Sequence, residues 1–304
     1  MSEVHIPTPH SQALDYAAEV RGRSLWQDAL YRLISNRAAL VSLLILAFTA
    51  VASILGPYLV PHSYAEIDWE LIGVPTPPSI ENGHWLGTDS LGQDLLARAL
   101  QGGRISLSVG LLATSVALVI GVTVGAVAGF VGGRTDQILM RFVDVIYSVP
   151  LMFFVIILVV IFGRNFILMF LAIGCVEWLT MSRIVRGQTL TLRNKEFIEA
   201  ARAAGGSTFS IILRHIVPNV FGVVAVYVTL TIPQVILLES FLSFLGLGIQ
   251  PPMTSWGALI NEGAQEMEIT PRMLIVPAAF LTTTLFCFNF IGDGLRDALD
   301  PKDR

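Results

Sequence analysis

The chain is built from long stretches that carry no charge, and these decide what it can fold into. Residues 38–65, 105–133, 145–163, 215–238, 240–261 and 273–292 run without a charged side chain, and 165–182 carries one, Glu177. A helix needs about 20 apolar residues to cross a hydrocarbon core roughly 30 Å thick. Six of the seven stretches meet that requirement. In 240–261 the apolar part is only 241–249, and Gln250, Pro251, Pro252, Thr254 and Ser255 interrupt it. That segment reads as re-entrant or interfacial. The runs are continuous rather than alternating, which excludes a membrane β-barrel. Charged residues make up 14% of the 304 residues, against about 25% in an average soluble domain. The expected fold is therefore all-α, a polytopic membrane protein with six transmembrane helices.

Basic residues orient the spans. With a cytoplasmic N-terminus, fifteen of the 19 Lys and Arg fall in inner segments and four (Arg98, Arg104, Arg164 and Arg272) in outer ones. This is a positive-inside bias, and it places both termini in the cytoplasm. A seven-span arrangement would bring Glu262, Glu266 and Glu268 inside and weaken it. The first 20 residues include Glu3, Asp15 and Glu19 and lack an apolar core, so no cleavable signal peptide is expected. Leu25, Trp26, Ala29, Leu30, Leu33 and Ile34 share a helical face. They read either as an interfacial helix or as a plain run-in to the first span. The expected organisation is a cytoplasmic segment 1–37, a first span 38–60, an outer loop 61–103, a core 104–292 with five spans and an inner loop 183–215, and a cytoplasmic tail 293–304.

Several chemistries are missing. Lysine occurs only at 195 and 302, neither after glycine, so the chain has no Gly-Lys-Ser/Thr phosphate loop. None of the histidines (5, 62 and 84 among them) falls at mid-span, and no His-Glu-x-x-His pair is present. No catalytic, metal or cofactor-binding set is read, and the small net charge of −4 gives no nucleic-acid footprint. Cys175 and Cys287 fall in spans and read as packing residues. Glu177 reads either as an ion-coupling carboxylate or as a group facing a cavity or a partner. Gly121, Gly125 and Gly129 repeat every four residues, a close-packing face for another helix.

The inner loop reads as a helical hairpin. Asn194 is a candidate cap for a helix over 195–204, with Phe197, Ala201 and Ala204 on one face. Gly205-Gly206 stops it, Ser207 or Thr208 caps the next helix, and Pro218 sits where the following span begins. Such a hairpin is either a knob for a partner's groove or a loop resting on its own subunit. A stand-alone secondary transporter or channel is the competing functional class.

Glu199-Ala200-Ala201, then Gly205, His215 and Val217-Pro218, resemble the EAA signature of ABC importer permeases. His215 and Val217 stand where Ile and Leu are usual. Leu86-Gly87-Thr88-Asp89 with Gly92 and Asp94, Gly103-Arg104-Ile105-Ser106-Leu107, and Glu239 through Gly248 with Pro251-Pro252 and Ser255-Trp256-Gly257 resemble the oligopeptide/dipeptide branch. So do Asn289, Gly292-Asp293, Leu295-Arg296-Asp297 and Leu299-Asp300-Pro301. Gln93 departs from the Arg common there. Gly22 to Ala29 and the C-terminal residues from Asp297 are most similar to the C-type subunit of oligopeptide permeases.

The resemblance implies a type I ABC importer permease fold in a bacterial inner membrane. It implies a homologous B-type permease subunit, two ABC ATPase subunits that bind the ATP, and a periplasmic peptide-binding protein, with no cofactor held by the chain itself. Phe197, Glu199, Ala200, Ala201, Gly205 and Pro218 become the expected ATPase-coupling residues. Leu245, Gly246 and Trp256, in the broken segment 239–257, are candidates for an outer gate or binding-protein contact, against the plainer reading of an interfacial anchor. Carried substrates would be oligopeptides, dipeptides, muropeptides or nickel chelates.

Overall fold

The computed structural model describes residues 25–73 and 75–299. Expectations resting on residues 1–24 and 300–304, including Gly22, Arg21, Arg23, Pro301, Lys302 and Arg304, lie outside these, as do the side chains of Leu25 and Trp26. Among the described residues the chain is helical, with one isolated β-bridge between Thr88 and Asp94. The helices are α1 Leu25–Ser35, α2 Arg37–Leu59, α3 Leu95–Val131, α4 Gly133–Tyr147, α5 Leu151–Phe162, α6 Phe166–Leu192, α7 Glu196–Ala203, α8 Thr208–Ile211, α9 Val217–Phe244, α10 Trp256–Gln265 and α11 Arg272–Leu299, with a π turn Ile212–Ile216 leading into α9.

Five of these, α2, α3, α6, α8 running through α9, and α11, are long and apolar enough to cross a membrane, and a bent pair brings the number to six. The bent pair is α4 and α5, which meet at 83°. The third apolar run, 145–163, is therefore not one straight helix. Ser148 closes α4, Pro150 supplies no N–H and precedes α5, and the 12 residues of α5 reach only about 18 Å.

Local side chains set the helix ends. Asn36 Oδ1 accepts the Ala38 and Ala39 amides at 3.1 and 3.2 Å. Asp94 Oδ1 accepts Ala97 N–H at 2.7 Å, and Asn165 Oδ1 accepts Leu168 N–H at 2.9 Å. α3 therefore begins at Leu95, inside the expected outer loop, and its 37 residues extend about 55 Å. α6 likewise continues to Leu192, α9 to Phe244 and α11 to Leu299, past the expected span limits.

α3 is the central helix, packed by α6, α9 and α2, and α11 closes over α2, α9 and α10. The glycine ridge makes the tightest seam. A Cβ on Gly121 would lie 2.6 Å from Met181 Cβ, on Gly125 2.5 Å from the Ser182 carbonyl, and on Gly129 2.7 Å from Thr189 Cβ. Those residues belong to α6, so the ridge brings two helices of the same chain nearly backbone to backbone. Of the two cysteines, Cys287 is buried, whereas Cys175 faces outward, against its reading as a packing residue. In α1, Ala29 packs inward, while Leu30 and Ile34 are exposed.

Candidate functional site

Two clusters occupy opposite ends of α3. At one end the hairpin forms as its residue types dictate. Lys195, not Asn194, occupies the N-cap position of α7, and its side chain makes no capping bond. Gly205 takes φ +81, Gly206 N–H reaches the Ala201 carbonyl at 3.0 Å, and Gly205 N–H reaches that of Arg202 at 2.9 Å. This is a Schellman ending, which glycine accepts at no steric cost. Ser207 Oγ then accepts Ser210 N–H at 3.3 Å. Pro218 has no amide to give the Arg214 carbonyl, and the chain widens into the π turn just before it, with Val217 N–H bonded to the Ile212 carbonyl.

The hairpin protrudes yet is fixed to the core. Phe197, Glu199, Ala200 and Gly205 are exposed, and Ala201 is half-buried. Ile198 is fully buried in a cluster with Ala126 and Phe130 of α3, Met181 and Val185 of α6, and Val220 of α9. Arg193 Nη1 donates to the Gly129 carbonyl at 3.2 Å, and the Arg202 guanidinium lies 4.8 Å from the Phe130 ring centroid. Two ion pairs brace α4 beside it. Arg186 Nη2 meets Asp136 Oδ2 at 2.6 Å, and Arg183 Nη2 meets Asp144 Oδ1 at 2.7 Å.

The other end holds a polar hub that sequence reasoning placed in a broken outer loop. Glu239 is part of α9 and fully buried. Ser106 Oγ donates to its Oε2 at 2.9 Å and Ser243 Oγ to its Oε1 at 2.7 Å. Ser106 Oγ accepts Trp256 N–H at 3.3 Å, and Ser243 Oγ accepts from Ser255 Oγ at 3.2 Å, which in turn accepts Ala258 N–H at 3.3 Å. Trp256 and Ala258 open α10, so two serine relays connect the first amides of a helix N-terminus, which have no partner within the helix, to the Glu239 carboxyl group. Glu177 is thus not the sole acid inside a span. Arg98, early in α3, is also buried, paired with Asp89 and with Glu262, the latter at 2.7 Å.

The remaining expected site residues divide. Trp256 is fully buried, its Nε1–H bonded to the Ala99 carbonyl at 3.0 Å, so it presents nothing to an incoming protein. That part of the outer-contact expectation is corrected. Leu245 and Gly246 lie in the exposed turn after α9, where the Gly246 carbonyl accepts from Arg164 Nη1 at 3.1 Å. Glu177 is half-buried on α6 and lies within electrostatic reach of Tyr227 on α9. Asp89 and Asp94 organise the chain ahead of α3. Asp89 Oδ1 accepts the Leu91 and Gln93 amides, and Asp94 Oδ2 lies 3.0 Å from His84 Nδ1.

Comparison with known proteins decides the family. A family model described as the binding-protein-dependent transport system inner membrane component matches residues 121–304. The chain belongs to that family. A second model, the N-terminal TM domain of oligopeptide transport permease C, matches residues 24–78 of this permease. It is 57% identical over 286 residues to the oligopeptide transport system permease protein OppC of Escherichia coli, covering 94% of each chain. To OppC of Haemophilus influenzae it is 55% identical over 286 residues, 94% of this chain and 91% of that one. To the dipeptide transport system permease protein DppC of Bacillus subtilis it is 44% identical over 282 residues, 92% and 87%. A solved structure of the MetNI methionine ABC transporter in inward-facing conformations matches with a TM-score of 0.54 at 17% identity. The match covers 67% of this chain and 96% of that one, a likeness of fold alone. The permease is an all-α, multi-pass inner-membrane component with an ABC importer permease fold.

Proposed function

We propose that this permease is the C-type translocation subunit of an ATP-driven importer of oligopeptides, and that separate ATPase subunits drive it through the α7 hairpin. The hairpin end then faces the cytoplasm with both termini, and the Glu239 end faces the periplasm. The observation that carries the reading is the hairpin itself, with Phe197, Glu199 and Ala200 offered outward and Ile198 riveted to α3, α6 and α9. A partner gripping the exposed face would move the spans rather than a loose loop. Oligopeptides as cargo are supported by the relatives at 55–57% identity. A B-type permease subunit would complete the membrane unit, and a periplasmic peptide-binding protein would deliver cargo near Leu245 and Gly246. Glu177 and Tyr227 would offer polar groups to the path. No cofactor is assigned to the chain, since ATP belongs to the partner subunits.

Replacing Glu199 by Lys, or Gly205 by Arg at its positive φ, tests this. Both variants should remain in the membrane, lose peptide uptake, and retain far less ATPase subunit on purification. Normal uptake of oligopeptides by both variants would overturn the reading.

A further inference from the structure

A groove of about 710 Å³ runs between α2 and α11, lined by Arg37, Val41, Ile45, Phe286, Cys287 and Phe290 among others. Its walls are almost wholly apolar, and its one charged lining residue, Arg37, stands at one end. Arg37 is exposed and makes no ion pair among the described residues, with Asp293 and Asp297 of the neighbouring helix or with any other acid.

The depth of that end follows from α1. Leu30, Tyr31 and Ile34 of this helix are exposed, at 57%, 65% and 47%, and such side chains rest at the boundary of headgroups and acyl chains. The chain turns at Asn36 into α2, and a helix seated at that boundary would set the Arg37 guanidinium at the level of lipid phosphates. From Arg37 to Ile45 the groove descends about 12 Å into hydrocarbon. A second helix is a poor occupant. It would need a seam near the full 30 Å of the core and small residues along it, as the glycine ridge of α3 provides. Here Ala38, Ser42, Thr283 and Cys287 also line the groove, but the exposed Val41, Ile45, Phe286 and Phe290 stand among them and hold a helix backbone off, which leaves room for a flexible chain.

We propose that this groove is a binding site for an anionic phospholipid, its phosphate paired with Arg37 and one acyl chain lying along Val41, Ile45 and Phe290. Basic pockets between membrane helices at the cytoplasmic face hold anionic headgroups in this way.

The test is native mass spectrometry of the permease purified with its associated subunits and exchanged into nanodiscs of equal phosphatidylglycerol and phosphatidylcholine. The wild type should keep one phosphatidylglycerol through delipidation in preference to phosphatidylcholine. Arg37→Ala should lower its retention about fivefold, and Arg37→Lys should largely preserve it. Ile45→Trp fills the groove without altering charge and should also release the lipid. Equal retention of the two lipids, or unchanged retention in Arg37→Ala or in Ile45→Trp, would overturn the proposal.

Discussion

The two ends of α3 are held together by opposite means. At the hairpin, buried aliphatic side chains, Ile198 and Ile211 foremost, anchor a surface that is otherwise largely exposed. At the hub, a buried carboxylate gathers hydroxyls and relayed amides from α3, α9 and α10. An apolar rivet holds by burial and close packing, which have no preferred direction. A buried polar network fixes one geometry, because a half-satisfied member is costly. The hairpin is held mainly by non-directional packing where a partner is proposed to grip it, and the hub by directional bonds where the outer loop meets the spans.

Substitutions in the two regions should separate these behaviours. The largest effect is expected from Glu239→Ala, which leaves a cavity and removes the acceptor for Ser106 and Ser243. Loss of about 3–6 kcal/mol should appear as a large fall in the thermal unfolding midpoint in detergent, and an unchanged midpoint would deny the hub its structural role. Ile198→Ala should cost about 2–4 kcal/mol, felt locally. Amides of α7 should exchange hydrogen faster while those of α10 stay protected, and uniform loosening of both ends would erase the contrast. Phe197→Ser, at an exposed position, should change stability by no more than about 0.5 kcal/mol while lowering co-purification of ATPase subunits. A clear fall in stability would mean that Phe197 packs rather than docks.

How far the sequence anticipates these ends also differs. The hairpin is contiguous, so Gly205, Ser207 and Pro218 announce its turns within a few residues, and the resemblance falls on the same stretch. The hub is assembled from positions 106, 239, 243 and 255, and no local pattern links them. Glu239 ends the uncharged run 215–238, and an acid there reads as the edge of a span. Only the serine donors, brought together by packing, make its burial affordable. Trp256 is similar: beside Pro251 and Pro252 it reads as an interfacial aromatic, but its indole reaches the Ala99 carbonyl inside the fold. The bend between α4 and α5 did leave a visible sign, Pro150, inside a run whose apolarity alone suggests a single span.

The glycine ridge has a mechanical consequence. With Gly121, Gly125 and Gly129 pressed on Met181, Val185 and Thr189 of α6, α3 contributes no side chains to cushion the seam, and neither helix can shear freely past the other. The pair forms a double-walled rod, with the Gly129 carbonyl and Phe130 toward one end and Ser106 toward the other. Tilting a rod about 55 Å long by about 10° about one end sweeps the other through about 10 Å, so the coupling proposed for the hairpin would need only a small rotation of this pair to move the opposite end by a peptide's width.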